Sequence, residues 1–344
     1  MDRLHYFIRR LLLVIPTFLV ITMVCFGISQ LVPGGPVEQM TRQMLGAQGE
    51  GGPVAASGPA ISDEQREAIR KHFEFDKPIL VRYKNWLVRD RVGMLKRSTR
   101  FQRPAWDVIR SRLPVSLVFG ISGFLLTYLV CIPLGITKAL RHGGPFDLFS
   151  SLLVFVGYAI PAFAFGMLLK MLFCGTVEGL WDIFPVGGFQ SDDFAVLPFG
   201  DQVKDIFLHM FLPVLCYVIG SFAVLTLLMK NSLLEQIGAD YVRTVYAKGG
   251  SSARAIWGHA LRNALIPIAT GFGGIFTVMF AGSVIIETLF DIPGMGRLGL
   301  EAIVSRDYAV FMGVLALTSI LGLVGNIFSD FCYVLIDPRI DFNR

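Results

Sequence analysis

Three stretches of this sequence hold side chains whose types and spacing could do chemistry. The run "GMGRLG", Gly294–Gly299, is a literal G-x-G-x-x-G. In a strand–turn–helix setting such glycines let a backbone approach a pyrophosphate. Here the run follows a long apolar segment rather than a strand, so a turn at the end of that segment fits it better. Asn326 and Asp330 stand four apart inside another apolar segment. An ionisable residue in such a place is a candidate for ion or proton coupling. A structural hydrogen bond, or pairing with a loop cation such as Lys230 or Arg243, is the reading preferred here. The third stretch is "DYVRTVYAKGGSSARAIWGHALRNALIPI", Asp240–Ile268, which is basic and short of acid. No G-x-x-x-x-G-K-[ST], H-E-x-x-H or G-x-S-x-G occurs, so the sequence shows no phosphate loop, zinc pair or nucleophile elbow. No catalytic residue and no metal ligand is assigned, and the chain is not expected to be an enzyme.

The elements that must position these groups are membrane helices. Of 344 residues, 53% are hydrophobic and only 17% charged, against about 25% charged in soluble domains. Six apolar runs have the length of a membrane span: about 9–32, 113–137, 148–173, 206–229, 264–287 and 309–332. Each is read as a helix, because lipid leaves every backbone polar group to be satisfied within the segment. The run after Arg3, Arg9 and Arg10 is too long for a signal peptide and lacks a cleavage site, so the first span is expected to be retained. Cys25, Cys131, Cys174, Cys216 and Cys332 show no metal-ligand spacing and read as packing residues. The net charge of +5 is spread over loops, unlike the basic face of a nucleic-acid binder.

Orientation follows from Lys and Arg in the short loops. Lys138 and Arg141 mark 138–147, and Lys230, Arg243, Lys248, Arg254 and Arg262 mark 230–263. The 174–205 loop has only Lys204 against six acidic residues, and 288–308 is balanced. Both termini and the 230–263 loop are therefore expected to face the cytoplasm. The 33–112 loop is expected outside, with a flexible linker at 46–59 and a helix in "ISDEQREAIRKHF" capped by Ser62 and Gln65. Pro78 is expected to open a second helix carrying Leu80, Tyr83 and Trp86 or Leu87 on one apolar face. Residues 113–336 form a core of five spans, and 337–344 a cytoplasmic tail.

Within the third stretch, Asp240 is read as an N-cap, with Lys248 in the last turn and Gly249–Gly250 ending the helix. Tyr241, Thr244 or Val245, and Lys248 share a face. Ser251 or Ser252 caps a second helix running into span five. Two readings stay open on residue types alone: a basic hairpin on anionic lipid, or a docking helix for a soluble partner.

"DYVRTVYAKG" with "HALRNALIP" resembles the EAA-type coupling loop of ABC-importer permeases of the peptide/nickel class, though the literal Glu-Ala-Ala is missing. "FDKPILVRYKNWL", "RLPVS", "FPVGG", "ETLFDIPGMGRLG", "SRDYAV" and "DPRID" resemble that class in the same order. "LVPGGPVEQM", "VGYAIPAF" and "LLMKNSLLEQI" are most similar to the Yej-type permeases of microcin C and oligopeptide importers. One departure is Gly93-Met94, where the class has Gly-Asp.

The resemblance implies an all-α fold of type I importer permeases in the bacterial inner membrane. It implies import of oligopeptides or microcin C-like peptides, with dipeptides or cell-wall peptides as alternatives; an ion-coupled secondary transporter is the rival. It implies a second homologous permease forming a heterodimer, a cytoplasmic ABC ATPase that binds ATP and Mg, and a periplasmic peptide-binding protein. No cofactor and no nucleic acid is expected on this chain. The ATPase-coupling residues would be Asp240, Tyr241, Arg243, Thr244, Val245, Ala247, Lys248 and Gly249. A substrate path is assigned to Tyr158, Pro161, Thr270, Phe276, Thr277, Phe280 and Ser283. The periplasmic gate loop would hold Glu287, Phe290, Pro293, Gly294 and Gly296.

Overall fold

The computed structural model describes residues 3–31, 67 and 76–336. The linker at 46–59, the Ser62-capped helix and the 337–344 tail lie outside the described residues. The described chain is helical, with no strand among these residues beyond two isolated bridges, Arg97–Pro104 and Cys174–Asp182. The main helices are α1 (Arg3–Leu31), α2 (Ile79–Lys84), α3 (Ala105–Leu140), α4 (Pro145–Ala159), α5 (Ala162–Phe173) and α6 (Phe199–Ile237). Next come α7 (Asp240–Ala247), α8 (Ser252–Ala255), α9 (Leu261–Ala264) and α10 (Ile266–Ala269). The last are α11 (Gly274–Ala281), α12 (Val284–Leu289), α13 (Met295–Val304) and α14 (Tyr308–Ile336).

Four described helices are long and apolar enough to cross a membrane: His5–Gln30, Ala105–Leu140, Phe199–Ile237 and Tyr308–Cys332. Two of the six expected spans are not continuous helices. The run 148–173 is bent by 94° between α4 and α5, where Ile160 is extended and Pro161 cannot continue the ladder. The run 264–287 breaks twice. A 3₁₀ turn covers Thr270–Gly273, and Gly282, at φ +66°, separates α11 from α12. Glycines weaken a helix at these points. Gly273 is also held by a close approach: a Cβ there would lie 2.3 Å from the Gly325 carbonyl oxygen of α14. Backbone-to-backbone contact of this kind is how small residues join membrane helices.

The chain divides into two compact units. One comprises 15–111 with 299–319. Its core gathers Phe26, Tyr83, Trp86, Met312 and Ala316. Tyr83 and Thr22 hydroxyls lie 2.9 Å apart, and Tyr83 stacks on Trp86 at 5.8 Å. Of the face expected after Pro78, Tyr83 and Trp86 are buried while Leu80 is exposed. Gly93 has φ +74°, and a Cβ there would strike the Trp86 ring. This explains the glycine of Gly93-Met94. The "SRDYAV" run also has a local cause: buried Asp307 caps α14 through the Val310 N–H at 3.2 Å and accepts from the Ser98 hydroxyl.

The second unit comprises 1–14, 112–298 and 320–344. Two apolar clusters hold it. One joins Phe119, Leu169, Met210, Cys216, Ile286 and Phe290. The other joins Ile136, Met229, Leu233, Val242, Ala264 and Ile268. Away from these, Leu148, Phe149, Leu152 and Leu153 on α4 and Leu11, Leu12 and Leu13 on α1 are exposed. Such a surface suits hydrocarbon as the surrounding solvent. Cys131, Cys174, Cys216 and Cys332 are buried and Cys25 partly so, all as free thiols.

Asp330 is paired within this unit, with Arg10 and, at 3.4 Å, the Tyr6 hydroxyl. The expected partners Lys230 and Arg243 are engaged elsewhere. Lys230 meets Asp147 at 2.8 Å and Arg243 meets Asp240. Lys170 donates to the Leu289 carbonyl at 2.9 Å, with its ammonium over the Phe290 ring. It thereby satisfies one of the orphan carbonyls at the end of α12.

Candidate functional site

The basic stretch folds as a short amphipathic helix, a turn and a second helical segment. Asp240 is the first residue of α7 rather than its cap. Ala239 takes the extended cap conformation, and its carbonyl accepts from the Val242 and Arg243 N–H groups. Asp240 still suits the positive helix end. The helix ends in a Schellman turn. Gly249 N–H donates to the Tyr246 carbonyl and Gly250 N–H to the Val245 carbonyl, both at 2.9 Å. Gly249 has φ +76° with no atom within 4 Å of where a Cβ would stand. Its glycine is demanded by backbone conformation alone. Gly250 is demanded by space, since a Cβ would fall 2.5 Å from the Val245 side chain.

Two faces of α7 differ sharply. Val242 is fully buried, and Tyr241 and Val245 flank it against the second cluster. The Tyr241 hydroxyl donates to Gln236 at 2.8 Å. The outer face shows Asp240, Arg243, Thr244 and Ala247, the i, i+3, i+4, i+7 stripe of a helix, followed by exposed Lys248 and Gly249. So six of the eight expected coupling residues lie outward, while Tyr241 and Val245 lie inward as the anchor. The Arg243–Asp240 pair is 3.4 Å long between side chains 74% and 97% exposed, which leaves both charges available to a partner. Sequence reasoning missed Val242, the buried pivot, and the exposed aromatics Tyr246 and Trp257. An aromatic standing amid polar neighbours was the available signal for the latter two.

The second segment explains why the loop is rich in alanine. Ser251 caps α8 by accepting from the Arg254 N–H at 3.4 Å. Ala255, Ala260 and Ala264 are fully buried, letting this segment approach α6. A π-helical turn at Ile256–Ala260 adds one residue, which keeps Ala255 and Ala260 on one side despite their spacing of five. The Ser232 hydroxyl on α6 donates to the Ala264 carbonyl at 2.9 Å. Nearby, Asp147 gathers Lys138 at 3.2 Å, Lys230 at 2.8 Å and His142 at 3.3 Å. Lys138, fully buried, also donates to the Ser150 and Ser151 hydroxyls. These charges tie α3, α4 and α6 together beneath α7.

At the other end of the 264–287 run, Glu287 is fully buried. Its carboxylate accepts from the Ser283 N–H at 3.1 Å and the Arg297 N–H at 2.7 Å. The Met295 N–H donates to the Ser116 hydroxyl at 2.8 Å. Ser116 and Glu287 thus serve two of the orphan donors opening α13. Gly294 exists to admit the carboxylate: a Cβ there would lie 2.5 Å from its carbon. Gly188 N–H donates to the Phe290 carbonyl at 2.9 Å. The expected gate residues Glu287, Phe290, Gly294 and Gly296 are buried and Pro293 partly so. "RLPVS", "FPVGG" and "ETLFDIPGMG" thus meet in one packed turn, and of the G-x-G-x-x-G glycines Gly294 serves that packing.

Four of the seven expected path residues have described side chains. Tyr158 is 58% exposed at the end of α4 and Pro161 sits at the bend. Phe276 packs edge-on against Phe328 at 5.3 Å. Ser283 is the turn residue whose N–H meets Glu287. The side chains of Thr270, Thr277 and Phe280 lie outside the described residues. A cleft of about 420 Å³ opens between α3, α6 and the Pro267–Gly274 segment, walled by Tyr128 and Tyr217.

A family model described as "Binding-protein-dependent transport system inner membrane component" matches residues 131–342. The chain is 42% identical to the "Inner membrane ABC transporter permease protein YejB" of Escherichia coli O157:H7, over 98% of each chain. It is 38% identical to the "Peptidoglycan transport system permease protein YejB" of Agrobacterium fabrum, again over 98% of each. To the "Dipeptide transport system permease protein DppB" of Escherichia coli K12 it is 32% identical over 98% of each.

Proposed function

This chain belongs to the family of binding-protein-dependent transport system inner membrane components, and from that premise we propose that it is the permease subunit of an ABC importer for oligopeptides and peptide-like compounds of the microcin C kind. The observation that carries the coupling role is the two-faced helix α7. Its Val242 face is locked to the core, its Asp240–Arg243–Thr244–Ala247 face is bare, and a glycine turn fixes its end. A helix so built transmits a push: whatever grips the outer face moves α6 and the 264–287 run through Val242 and the buried alanines. In this reading the gripping body is a cytoplasmic ATPase that holds ATP and Mg. Its nucleotide cycle biases a bistable helix bundle by contacting the loop differently in its two states.

The arrangement follows. Six passages cross the inner membrane, with both termini and α7 cytoplasmic and the 33–112 loop periplasmic. A second homologous permease completes the path, and a periplasmic binding protein delivers the peptide. Peptide cargo is supported by relatives whose names specify peptidoglycan or dipeptide transport. The rival ion-coupled reading needs a carboxylate free to load an ion. Its candidate, Asp330, is held by Arg10 and Tyr6.

The test is uptake into proteoliposomes holding this chain with its ATPase, second permease and binding protein. Peptide should accumulate only with ATP and the binding protein. Accumulation driven by an imposed ion gradient without the ATPase would refute the proposal.

A further inference from the structure

The cleft between α3, α6 and the Pro267–Gly274 segment is built by missing side chains. Tyr217 lies over Gly123, where a Cβ would fall 2.6 Å from its ring. The Tyr128 hydroxyl lies over Gly271, 2.1 Å from where a Cβ would be. Two glycines therefore seat the two tyrosines. Two more, Gly220 and Gly274, line the cleft with nothing within 4 Å of their missing Cβ positions. They leave the volume open.

The cleft is mostly apolar, with a few hydroxyls and no charged lining residue. Its size, about 420 Å³, lies in the range of about 300–1,000 Å³ typical of ligand sites. Thr127 lines it and is 4% exposed, yet its hydroxyl has no hydrogen-bond partner. Thr22, Thr137 and Thr318 bond the carbonyl four residues back, whereas Thr226 on α6 is buried without a partner as Thr127 is. An unpartnered buried hydroxyl is unfavourable against hydrocarbon.

We propose that this cleft is the passage for one uncharged segment of the peptide, with Tyr128 and Tyr217 flanking a bulky side chain. The assignment rests on the permease reading above and moves the path away from Tyr158, Pro161, Phe276 and Ser283. Gly220 and Gly274 set the largest side chain that passes.

The experiment uses the complete transporter in proteoliposomes and two pentapeptides differing only in a central Gly or Trp. Gly220→Leu and Gly274→Leu each put a Cβ into open space at the cleft wall and extend a side chain from there. Gly200→Leu, on the same helix α6 and equally unobstructed, is the control. Both cleft variants should keep the second permease bound and keep ATPase stimulation by the binding protein. They should lose uptake of the Trp peptide by about tenfold or more relative to the Gly peptide, and the control should transport both. Unchanged Trp-peptide uptake in both cleft variants would overturn the proposal, as would equal loss of both peptides. Loss of the second permease from the complex would overturn it too, by making this face a subunit interface. If the unaltered transporter accumulates neither peptide with ATP, the permease reading itself falls and takes this one with it.

Discussion

Replacing Gly249 should weaken ATPase docking in proportion to backbone strain and not to size. The position has φ +76°, and nothing lies within 4 Å of a Cβ placed there, so a clash plays no part. A left-handed conformation costs a residue with a Cβ about 1–2 kcal/mol. Alanine should sit near 1 kcal/mol and β-branched valine near 2 kcal/mol. In the free protein the exposed turn can relax and escape this cost. Docking requires the Schellman turn again, with Gly249 and Gly250 N–H groups on the Tyr246 and Val245 carbonyls, so the strain reappears in the binding free energy. At 1.4 kcal/mol per tenfold, ATPase affinity should fall about fivefold for Gly249→Ala and about 30-fold for Gly249→Val. Asparagine tolerates this conformation better and should be milder. Gly238→Ala is the control in the same loop: its backbone is right-handed helical at φ −76° and a Cβ meets only ordinary contacts at 3.5 Å. The assay is titration of the purified ATPase onto permease in nanodiscs, with uptake measured in parallel. Equal affinity for wild-type, Gly249→Val and Gly238→Ala proteins would refute the reasoning, as would failure of Gly249→Val to enter the membrane.

Other consequences are sharper for stability. Asp147→Ala leaves fully buried Lys138 without its carboxylate, and should destabilise the protein by about 3 kcal/mol, read as a lower Tm in detergent; Asp240→Ala, at the exposed stripe, should leave Tm unchanged. Glu287→Gln keeps the volume but turns an amide N–H₂ or a single carbonyl toward the Ser283 and Arg297 N–H donors. It should cost about 1–3 kcal/mol and raise proteolysis at the Asp291–Gly294 turn, while an unchanged Tm and cleavage rate would remove the clamp assigned to Glu287. Arg243→Glu should lower ATPase affinity at low salt more than at high salt, with Tm unaffected; a salt-independent loss would point to folding instead.

Much of this was legible in the sequence wherever the signal is local. Four long apolar helices followed from run length, helix α7 from its basic, glycine-terminated pattern, and the segment after it from Ser251. What escaped was set by distant contacts. The 264–287 run reads as one span because hydropathy is blind to Gly282 adopting a positive φ and to Gly273 meeting Gly325. The Lys170–Leu289 hydrogen bond joins residues 119 apart in sequence, and no local pattern marks it. Ser116 and Glu287 look unrelated until both are seen serving α13. Val242 was overlooked because a helix of eight residues offers too few turns for its buried side to stand out. The path residues were chosen by residue type, whereas the shape of the cleft depends on which distant side chains Gly123, Gly220, Gly271 and Gly274 meet or leave room for.

Site-directed crosslinking of α7 to the ATPase reaches the central claim most directly. Cysteines placed singly at Arg243, Ala247 and Val242, in a chain whose five native cysteines are replaced by alanine, are treated with a short bifunctional thiol reagent in the assembled transporter. Adducts should form from Arg243 and Ala247 but not from Val242, and their yield should change when ATP is bound. An ATPase that gives no adduct from the outer face of α7, while the reconstituted transporter still hydrolyses ATP to import peptide, would contradict the account.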